Sequence, residues 1–241
     1  MSAISRVLGM FLKLIYDGLV SIFPSEPKNI SFFALSIIIS TIIIKLLVVP
    51  INISMIKNQK KMAELQPEIE KLKKKYQNDP KTLAVKQQQL YKEANYNMLS
   101  GCLPMILQFV VLIAFYRVFW EPAKYAFTDK AMFDAMSKNF FYIANLQEKD
   151  PTMILGIIAA ITTFLTSFVS NQNPAQKTMQ NKQSNSMMTS MMIVMPIMIF
   201  TMARKFQSGL VLYWTVSNVF AIVQQLITNR IIAGSVAEEV K

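Results

Sequence analysis

Lys45 is the side chain whose position has the clearest chemical consequence in this 241-residue chain. It lies within an apolar run at 30–56, roughly 18 Å from Lys57 and about 25 Å from Lys28 if the run is helical. The hydrocarbon core of a bilayer is about 30 Å thick, so this ammonium would lie near mid-membrane at a cost of roughly 2.5–3.5 kcal/mol. The other apolar runs contain no Asp, Glu or His that could neutralise it. A water-filled recess around Lys45 is therefore our leading interpretation.

Catalytic and metal-binding chemistry is poorly provided for. The chain contains no histidine, so it lacks the usual general base, the Ser-His and Cys-His arrangements and the commonest metal ligand. Cys102 is the only cysteine, which excludes an internal disulfide. We therefore predict a protein that is not an enzyme and that has no metal site and no cofactor.

The composition indicates an integral membrane protein. Hydrophobic residues make up 53% of the chain, and the mean hydropathy is +0.34. The net charge is +11, and the basic residues cluster in a segment between apolar runs. Contact with lipid headgroups and retention in the cytoplasm explain this charge better than nucleic acid does, so we expect no specific nucleic-acid recognition.

Five stretches are long and apolar enough to cross a bilayer as helices. They lie at 30–56, 98–120, 152–170, 187–203 and 207–232. The remaining segments are predicted to be a loop at 121–151, a loop at 171–186 and a tail at 233–241. The fold class that follows is all-α, a polytopic membrane protein with five transmembrane helices.

Two further segments are predicted to be helical outside the bilayer. In residues 1–23 apolar side chains recur at helical spacing but are interrupted by charges, which is typical of an amphipathic interfacial helix. A signal peptide is the alternative, although Lys13 and Asp17 would break its apolar core. Residues 57–97 carry ten lysines, and two weak amphipathic stripes flank a turn signal at 78–80. This pattern predicts a helical hairpin that projects from the membrane.

Basic residues outside the spans are more numerous on the side of the hairpin than on the other side. The positive-inside rule then places the hairpin, the loop at 171–186 and the C-terminus in the cytoplasm. The N-terminal helix and the loop at 121–151 are predicted to lie outside.

Polar and flexible side chains within the predicted spans are candidates for a binding surface. Gln108 and Asn218 either line the recess around Lys45 or serve as interhelical hydrogen-bonding groups. Methionine is concentrated in the fourth span, where it provides either ordinary lipid-facing packing or a slide for varied hydrophobic helices. The residues of such a slide in the second and fourth spans would be Met105, Phe109, Met191, Met195 and Met198.

Four stretches resemble the YidC/Oxa/Alb family of membrane protein insertases. They are TIIIKLLVVPINI at 41–53, ELQPEIEKLKKKYQNDP at 64–80, NMLSGCLPMILQFVVLIAFYRVF at 97–119 and VLYWTVSNVFAIVQQ at 211–225. With the five-span order, they cover nearly the whole chain. The GCLPxxxQ and YWxxSN segments behind the hairpin are the specific part of this pattern, which is similar to the short Gram-positive type.

The resemblance implies a bacterial plasma-membrane protein whose hydrophilic groove is open to cytoplasm and lipid and closed outside. Lys45 matches the groove cation, which is more often Arg in the family, and Gln108 and Trp214 match other groove residues. The implied partners are newly made membrane proteins and lipids, together with the Sec translocon, the ribosome or the signal recognition particle pathway. Two features depart from the pattern: there is no lipoprotein-type cysteine near the N-terminus, and the tail lacks the basic extension that some members use on ribosomes.

The function that combines these features is that of an insertase or chaperone. Lys45 would attract acidic residues of a substrate tail, while the apolar helix of the substrate slides along spans two and four into lipid. The alternative is a small-solute or ion transporter or channel, which predicts flux across proteoliposomes. We find neither the coupling-ion carboxylates nor the internal repeats that this alternative leads us to expect.

Overall fold

The computed structural model describes residues 2–96, 103–172 and 182–239, and within these ranges the regular elements are all α-helices. The helices are α1 (Ser2–Ile22), α2 (Phe32–Lys75), α3 (Pro80–Glu93), α4 (Leu103–Trp120), α5 (Pro122–Tyr125), α6 (Lys130–Ala135), α7 (Ile154–Asn171), α8 (Lys182–Ala203) and α9 (Ser208–Glu239). The predicted start of span two and much of the predicted loop at 171–186 lie outside the described residues.

The prediction of an all-helical, polytopic membrane protein is confirmed. Three segments of the described helices are long and apolar enough to cross a bilayer: Phe32–Asn52, Ile154–Asn171 and Ser208–Arg230. Two shorter apolar helices, Ile106–Trp120 and Met192–Ala203, accompany them. The assignment of exactly bounded spans to all five remains a prediction.

Helix α2 runs without interruption for 44 residues, so the first predicted span and the first arm of the hairpin form one helix. Ser31 caps its start, accepting a hydrogen bond from the amide of Ala34. Pro50 and Pro67 are both accommodated within it. Three lysines in its last turn lie where the helix dipole favours positive charge. The first arm of the hairpin and Lys45 are therefore parts of one continuous helix.

The hairpin reverses direction at a short turn between α2 and α3. Asp79 accepts hydrogen bonds from the backbone amide and the hydroxyl of Thr82, and Pro80 occupies the first helical position. The hydrogen bonds from Thr82 lower the pKa of Asp79 and outweigh a smaller opposing effect of desolvation. The turn is therefore stabilised locally rather than by a core.

One end of the helical bundle is covered by α1 and by the segment at 121–153, and we refer to it as the capped end. The backbone amide of Ser31 donates to the carbonyl of Asn139 (3.0 Å), and that of Gly209 donates to the carbonyl of Leu146 (2.7 Å). Aromatic rings fill the space beneath this layer; Phe33, for example, makes an edge contact with Phe119. The main hydrophobic core thus lies at the capped end, between Lys45 and that surface.

Helix α1 packs one face against the bundle and leaves apolar side chains exposed elsewhere. Ser5, Gly9, Leu12 and Tyr16 are its buried residues, whereas Val7 is 61% exposed. A Cβ at Gly9 would lie within 2.2 Å of the backbone oxygen of residue 125, so only glycine permits this approach. Side chains of mixed size therefore face the bundle, and several apolar side chains of α1 remain exposed.

Asp150 organises the start of α7. Its carboxylate accepts hydrogen bonds from the amide and hydroxyl of Thr152 (2.9 and 2.7 Å), the amide of Leu155 (2.9 Å) and the hydroxyl of Tyr142 (3.2 Å). Met153, between these donors, adopts a left-handed conformation with φ of 61°. The carboxylate holds this tight entry to the helix in place.

Candidate functional site

Lys45 lies on α2 about 20 Å along the helix axis from its first residue and is half-buried. Its Nζ donates a hydrogen bond of 2.7 Å to Oε1 of Gln108 on α4. Within the described part of the chain, Lys45 makes no ion pair. A neutral amide is thus the partner that the structure gives to this cation, and the positive charge is not cancelled.

The Gln108 amide links three helices. While its oxygen accepts from Lys45 on α2, its Nε2 donates to the hydroxyl of Tyr213 on α9 (3.2 Å). Tyr213 is only 1% exposed, and its ring centroid is 4.6 Å from that of Phe115. The recess wall is therefore anchored to the core through a tyrosine.

Lys45 and Gln108 line a recess of about 380 Å³ between α2, α4, α7 and α9. Asn218 lines the same recess. Asn52 and Gln224 also line it, and the Nδ2 of Asn52 donates to the Oε1 of Gln224 (3.2 Å) between α2 and α9. The other described residues of the lining are neutral polar or aliphatic, so among them Lys45 alone carries a formal charge. A cavity of this size with polar lining groups has room for water.

Asn218 and Trp214 both donate to one hydroxyl on α7. The Oγ1 of Thr163 accepts from the indole nitrogen of Trp214 (3.0 Å) and from Nδ2 of Asn218 (2.8 Å), and it donates to the carbonyl of Ala159 (2.7 Å). Asn218 also donates to the hydroxyl of Thr162 (3.3 Å). Thr163 thus ties the predicted groove residues of α9 to the neighbouring helix.

A second cavity, of about 540 Å³, lies between α4, α8 and α9, and we refer to it as the apolar trough. Phe109 on α4, Met195 and Met198 on α8 and Trp214 on α9 line it. The structure therefore places Trp214 in the apolar trough, whereas Lys45, Gln108 and Asn218 line the recess. The indole is connected to the recess through Thr163.

Two predicted slide residues cannot be assigned to either cavity. Met105 and Met191 lie in α4 and α8, but their side chains are outside the described part of the structure. Among the described residues there is no group of three or more His, Cys, Asp or Glu side chains that could hold a metal ion.

The sequence comparisons agree with this architecture. The model of the family described as 60Kd inner membrane protein matches residues 27–235. The chain belongs to this family, the YidC/Oxa/Alb insertases. It is 36% identical over 192 residues to the membrane protein insertase YidC of Clostridium perfringens, an alignment that covers 80% of this chain and 76% of that protein.

Two other YidC-family relatives are similar over most of their length. The membrane protein insertase YidC of Fusobacterium nucleatum is 32% identical over 225 residues, covering 93% of this chain and 96% of that protein. The membrane protein insertase MisCA of Bacillus subtilis is 38% identical over 196 residues, covering 80% and 68%. Membership of the YidC family supports a membrane insertase role, which is not enzymatic, in a multi-pass bacterial membrane protein.

Two residues that bond to the predicted groove residues, Tyr213 and Thr163, were not among the site residues predicted from the sequence. Tyr213 precedes Trp214 near the predicted outer end of span five, a position typical of an aromatic belt. Thr163 is one of several hydroxyl residues in span three with no distinguishing pattern. Their roles depend on how the helices are rotated, which residue spacing alone does not give.

Proposed function

We propose that this protein inserts membrane proteins by capturing acidic residues of a substrate tail at Lys45. The observation that carries the proposal is the hydrogen bond from the Lys45 ammonium to Gln108, a neutral acceptor, in a recess whose described lining residues include no carboxylate. A lysine ammonium has three N–H donors, and Gln108 uses one of them. The other two remain for water or for a substrate carboxylate.

The attraction between Lys45 and a carboxylate is expected to be moderate, because the recess is neither fully exposed to water nor fully buried. A carboxylate 4 Å from an ammonium gains about 1 kcal/mol in bulk water and about 4 kcal/mol at the effective dielectric constant of a protein surface. An energy in this range holds a tail temporarily without trapping it. A tail that reaches Lys45 has already crossed part of the bilayer, so the remaining dehydration barrier is smaller.

We assign the apolar helix of the substrate to the apolar trough. Phe109, Met195 and Met198 provide polarisable, flexible surface that can adapt to different side chains. Met105 and Met191 would extend this slide along the same helices. Transfer of the substrate helix into lipid is then driven by its own hydrophobicity, at about −0.3 to −0.6 kcal/mol for each central Leu, Ile, Phe or Val.

The proposed orientation places the N-terminus and the capped end outside and the hairpin and C-terminus in the cytoplasm. The lysine-rich hairpin supports this orientation through the positive-inside rule. In this arrangement the aromatic core closes the recess toward the exterior. The hairpin would meet newly made membrane proteins, with the Sec translocon, the ribosome or the signal recognition particle pathway as candidates for delivering them.

The decisive experiment compares single-span test proteins with acidic or neutral extracytoplasmic tails in cells depleted of their own insertase. We expect Lys45→Arg to retain insertion of the acidic-tailed protein, because the charge remains. Lys45→Gln should lower it by about fivefold or more, the equivalent of 1 kcal/mol of lost attraction. Lys45→Glu should abolish it, because the recess then repels the tail.

The matched control reverses an exposed lysine at the capped end. Lys130→Glu changes the net charge by the same amount as Lys45→Glu but lies outside both cavities. It should insert both test proteins at the wild-type level. If Lys45→Glu inserts the acidic-tailed protein as efficiently as the wild type does, capture by charge is wrong.

A further inference from the structure

We propose that Tyr213 is a positioning residue of the Lys45 site, acting by fixing the position of the Gln108 amide. This inference rests on the proposed capture of acidic tails at Lys45. It assigns to Tyr213 no contact with the substrate. Its hydroxyl acts through Gln108, which holds the ammonium.

The amide of Gln108 has two ends of opposite chemistry but nearly the same shape. Its oxygen can only accept a hydrogen bond, and its NH₂ group can only donate. In the structure the oxygen faces the ammonium of Lys45 at 2.7 Å, and the NH₂ group faces the hydroxyl of Tyr213 at 3.2 Å. A rotation by half a turn would place the NH₂ group against the ammonium, with donors facing donors. The ammonium selects this orientation, and the hydroxyl of Tyr213, which accepts from the NH₂ group, holds the amide in place.

The order of dependence follows from burial. Tyr213 is 1% exposed and packs against Phe115, so the position of its hydroxyl is fixed by the core. Lys45 is half-buried at the end of a long, flexible side chain. Gln108 lies between the two and can transmit the fixed position of the tyrosine hydroxyl to the ammonium. Without that hydroxyl, the amide keeps only the contact with a mobile lysine.

The adjacent aromatic residue does not share this role. Trp214 donates to Thr163 on α7 and lines the apolar trough. Tyr213 instead lines the recess and bonds to α4. The neighbouring residues therefore serve separate cavities, and replacements at the two positions should affect different properties of the substrate.

The test uses Tyr213→Phe, which removes the hydroxyl but keeps the ring that packs on Phe115. We expect about a two- to tenfold loss in insertion of the acidic-tailed test protein, the effect of one hydrogen bond. Insertion of the neutral-tailed protein should stay within about twofold of wild type, because its tail has no carboxylate for Lys45 to capture. Tyr16→Phe, in a buried tyrosine of α1, is the matched control and should leave both test proteins unaffected.

A double-variant cycle tests whether Tyr213 acts through Gln108. Gln108→Leu removes the amide, so adding Tyr213→Phe to it should cause no further loss for the acidic-tailed protein. Losses that multiply in the double variant would overturn the proposal. So would equal losses for acidic and neutral tails, because they would indicate a packing role.

Three remaining outcomes are also decisive. If Tyr213→Phe does not accumulate in the membrane while Tyr16→Phe does, the hydroxyl has a folding role and the positioning role is wrong. If Lys45→Gln shows no dependence on tail charge, the proposed function itself fails. If Lys45→Gln shows the dependence and Tyr213→Phe does not, only the role of Tyr213 is refuted.

Discussion

Replacing Asp150 should loosen the entry to α7, and the size of the effect can be worked out from its four hydrogen bonds. One carboxylate oxygen accepts from the amide and hydroxyl of Thr152, and the other accepts from the amide of Leu155 and the hydroxyl of Tyr142. Thr152 is exposed and can bond to water instead, whereas Leu155 is only 3% exposed. The amide of Leu155 is therefore the donor that suffers most when the carboxylate is lost.

Asp150→Asn keeps only one oxygen, so its NH₂ group must face either the two donors of Thr152 or the donors of Leu155 and Tyr142. A buried donor without an acceptor costs about 1–3 kcal/mol. For a chain of this size, each kcal/mol changes the unfolding midpoint by about 2–4 °C, so we expect a midpoint about 2–12 °C lower. Thermal unfolding of the purified protein in detergent at pH 7 measures this. The control is Tyr142→Phe, which removes one hydrogen bond to Asp150 from a residue that is 45% exposed. It should lower the midpoint by less than about 3 °C.

The same residue predicts a dependence on pH. Burial acts to raise the pKa of Asp150, but hydrogen bonds from Thr152, Leu155 and Tyr142 outweigh it and hold the pKa below its ordinary value. The ionised carboxyl therefore stabilises the fold above the unfolded-state pKa, and this stabilisation is lost as the pH falls through the folded-state pKa. The midpoints of wild type and Asp150→Asn should converge below about pH 4. A difference that is absent at pH 7, or that does not narrow in acid, would refute this reasoning.

Two further replacements test the packing around the site. Gly9→Ala should destabilise the fold by about 1–3 kcal/mol and lower the unfolding midpoint by several degrees. The new methyl group would collide with the backbone oxygen of Tyr125. Gly18→Ala should not lower the midpoint, because the space around Gly18 is open. Equal midpoints for the two variants would contradict the close packing of α1. Thr163→Val should cost about 1–3 kcal/mol, because the part-buried indole N–H of Trp214 loses the acceptor that Thr163 provides. Thr163→Ser, which keeps the hydroxyl, should remain near the wild type in thermal unfolding, and equal destabilisation by both would contradict the hydrogen-bond explanation.

The helical class could be predicted, and Lys45 could be singled out as a candidate, because each rests on a large energy. A lysine in an apolar run is costly wherever the helix faces, so its position demands an explanation from sequence alone. The alternatives for Gln108 were a recess lining or an interhelical hydrogen bond, and the structure shows both at once. These two roles are compatible because an amide has two ends.

The continuity of α2 was not predicted because the hydrophobic pattern changes within it. Apolar residues dominate as far as about residue 56, and lysines dominate beyond it, so the sequence reads as two elements. Helical backbone bonding does not depend on that change, and neither Pro50 nor Pro67 ends the helix. The structure of the capped end could not be predicted from the sequence either, because the segment at 121–153 is held by backbone contacts that leave no periodic pattern in the sequence.

Hydroxyl residues in α2 show why composition alone does not identify a binding surface. Ser36 donates to the carbonyl of Phe33 (2.8 Å) and Thr41 to that of Ile37 (2.6 Å), both within their own helix. Bonds of this kind satisfy a hydroxyl without a partner helix or a ligand. Serine and threonine can therefore lie in an apolar span for local reasons. A lysine cannot, because its three donors and its charge exceed what the preceding turn of helix offers.

The two cavities use different faces of the same two helices, and this arrangement limits how a substrate can be held. Gln108 and Phe109 are consecutive on α4, as are Tyr213 and Trp214 on α9, yet the first of each pair lines the recess and the second lines the apolar trough. Because adjacent helical residues point about 100° apart, the polar and apolar surfaces are fixed relative to each other by the backbone. A change in the rotation of either helix would therefore disturb both surfaces together. Single replacements within one cavity leave the rotation intact, which is why tail charge and helix hydrophobicity should be separable in the insertion assays.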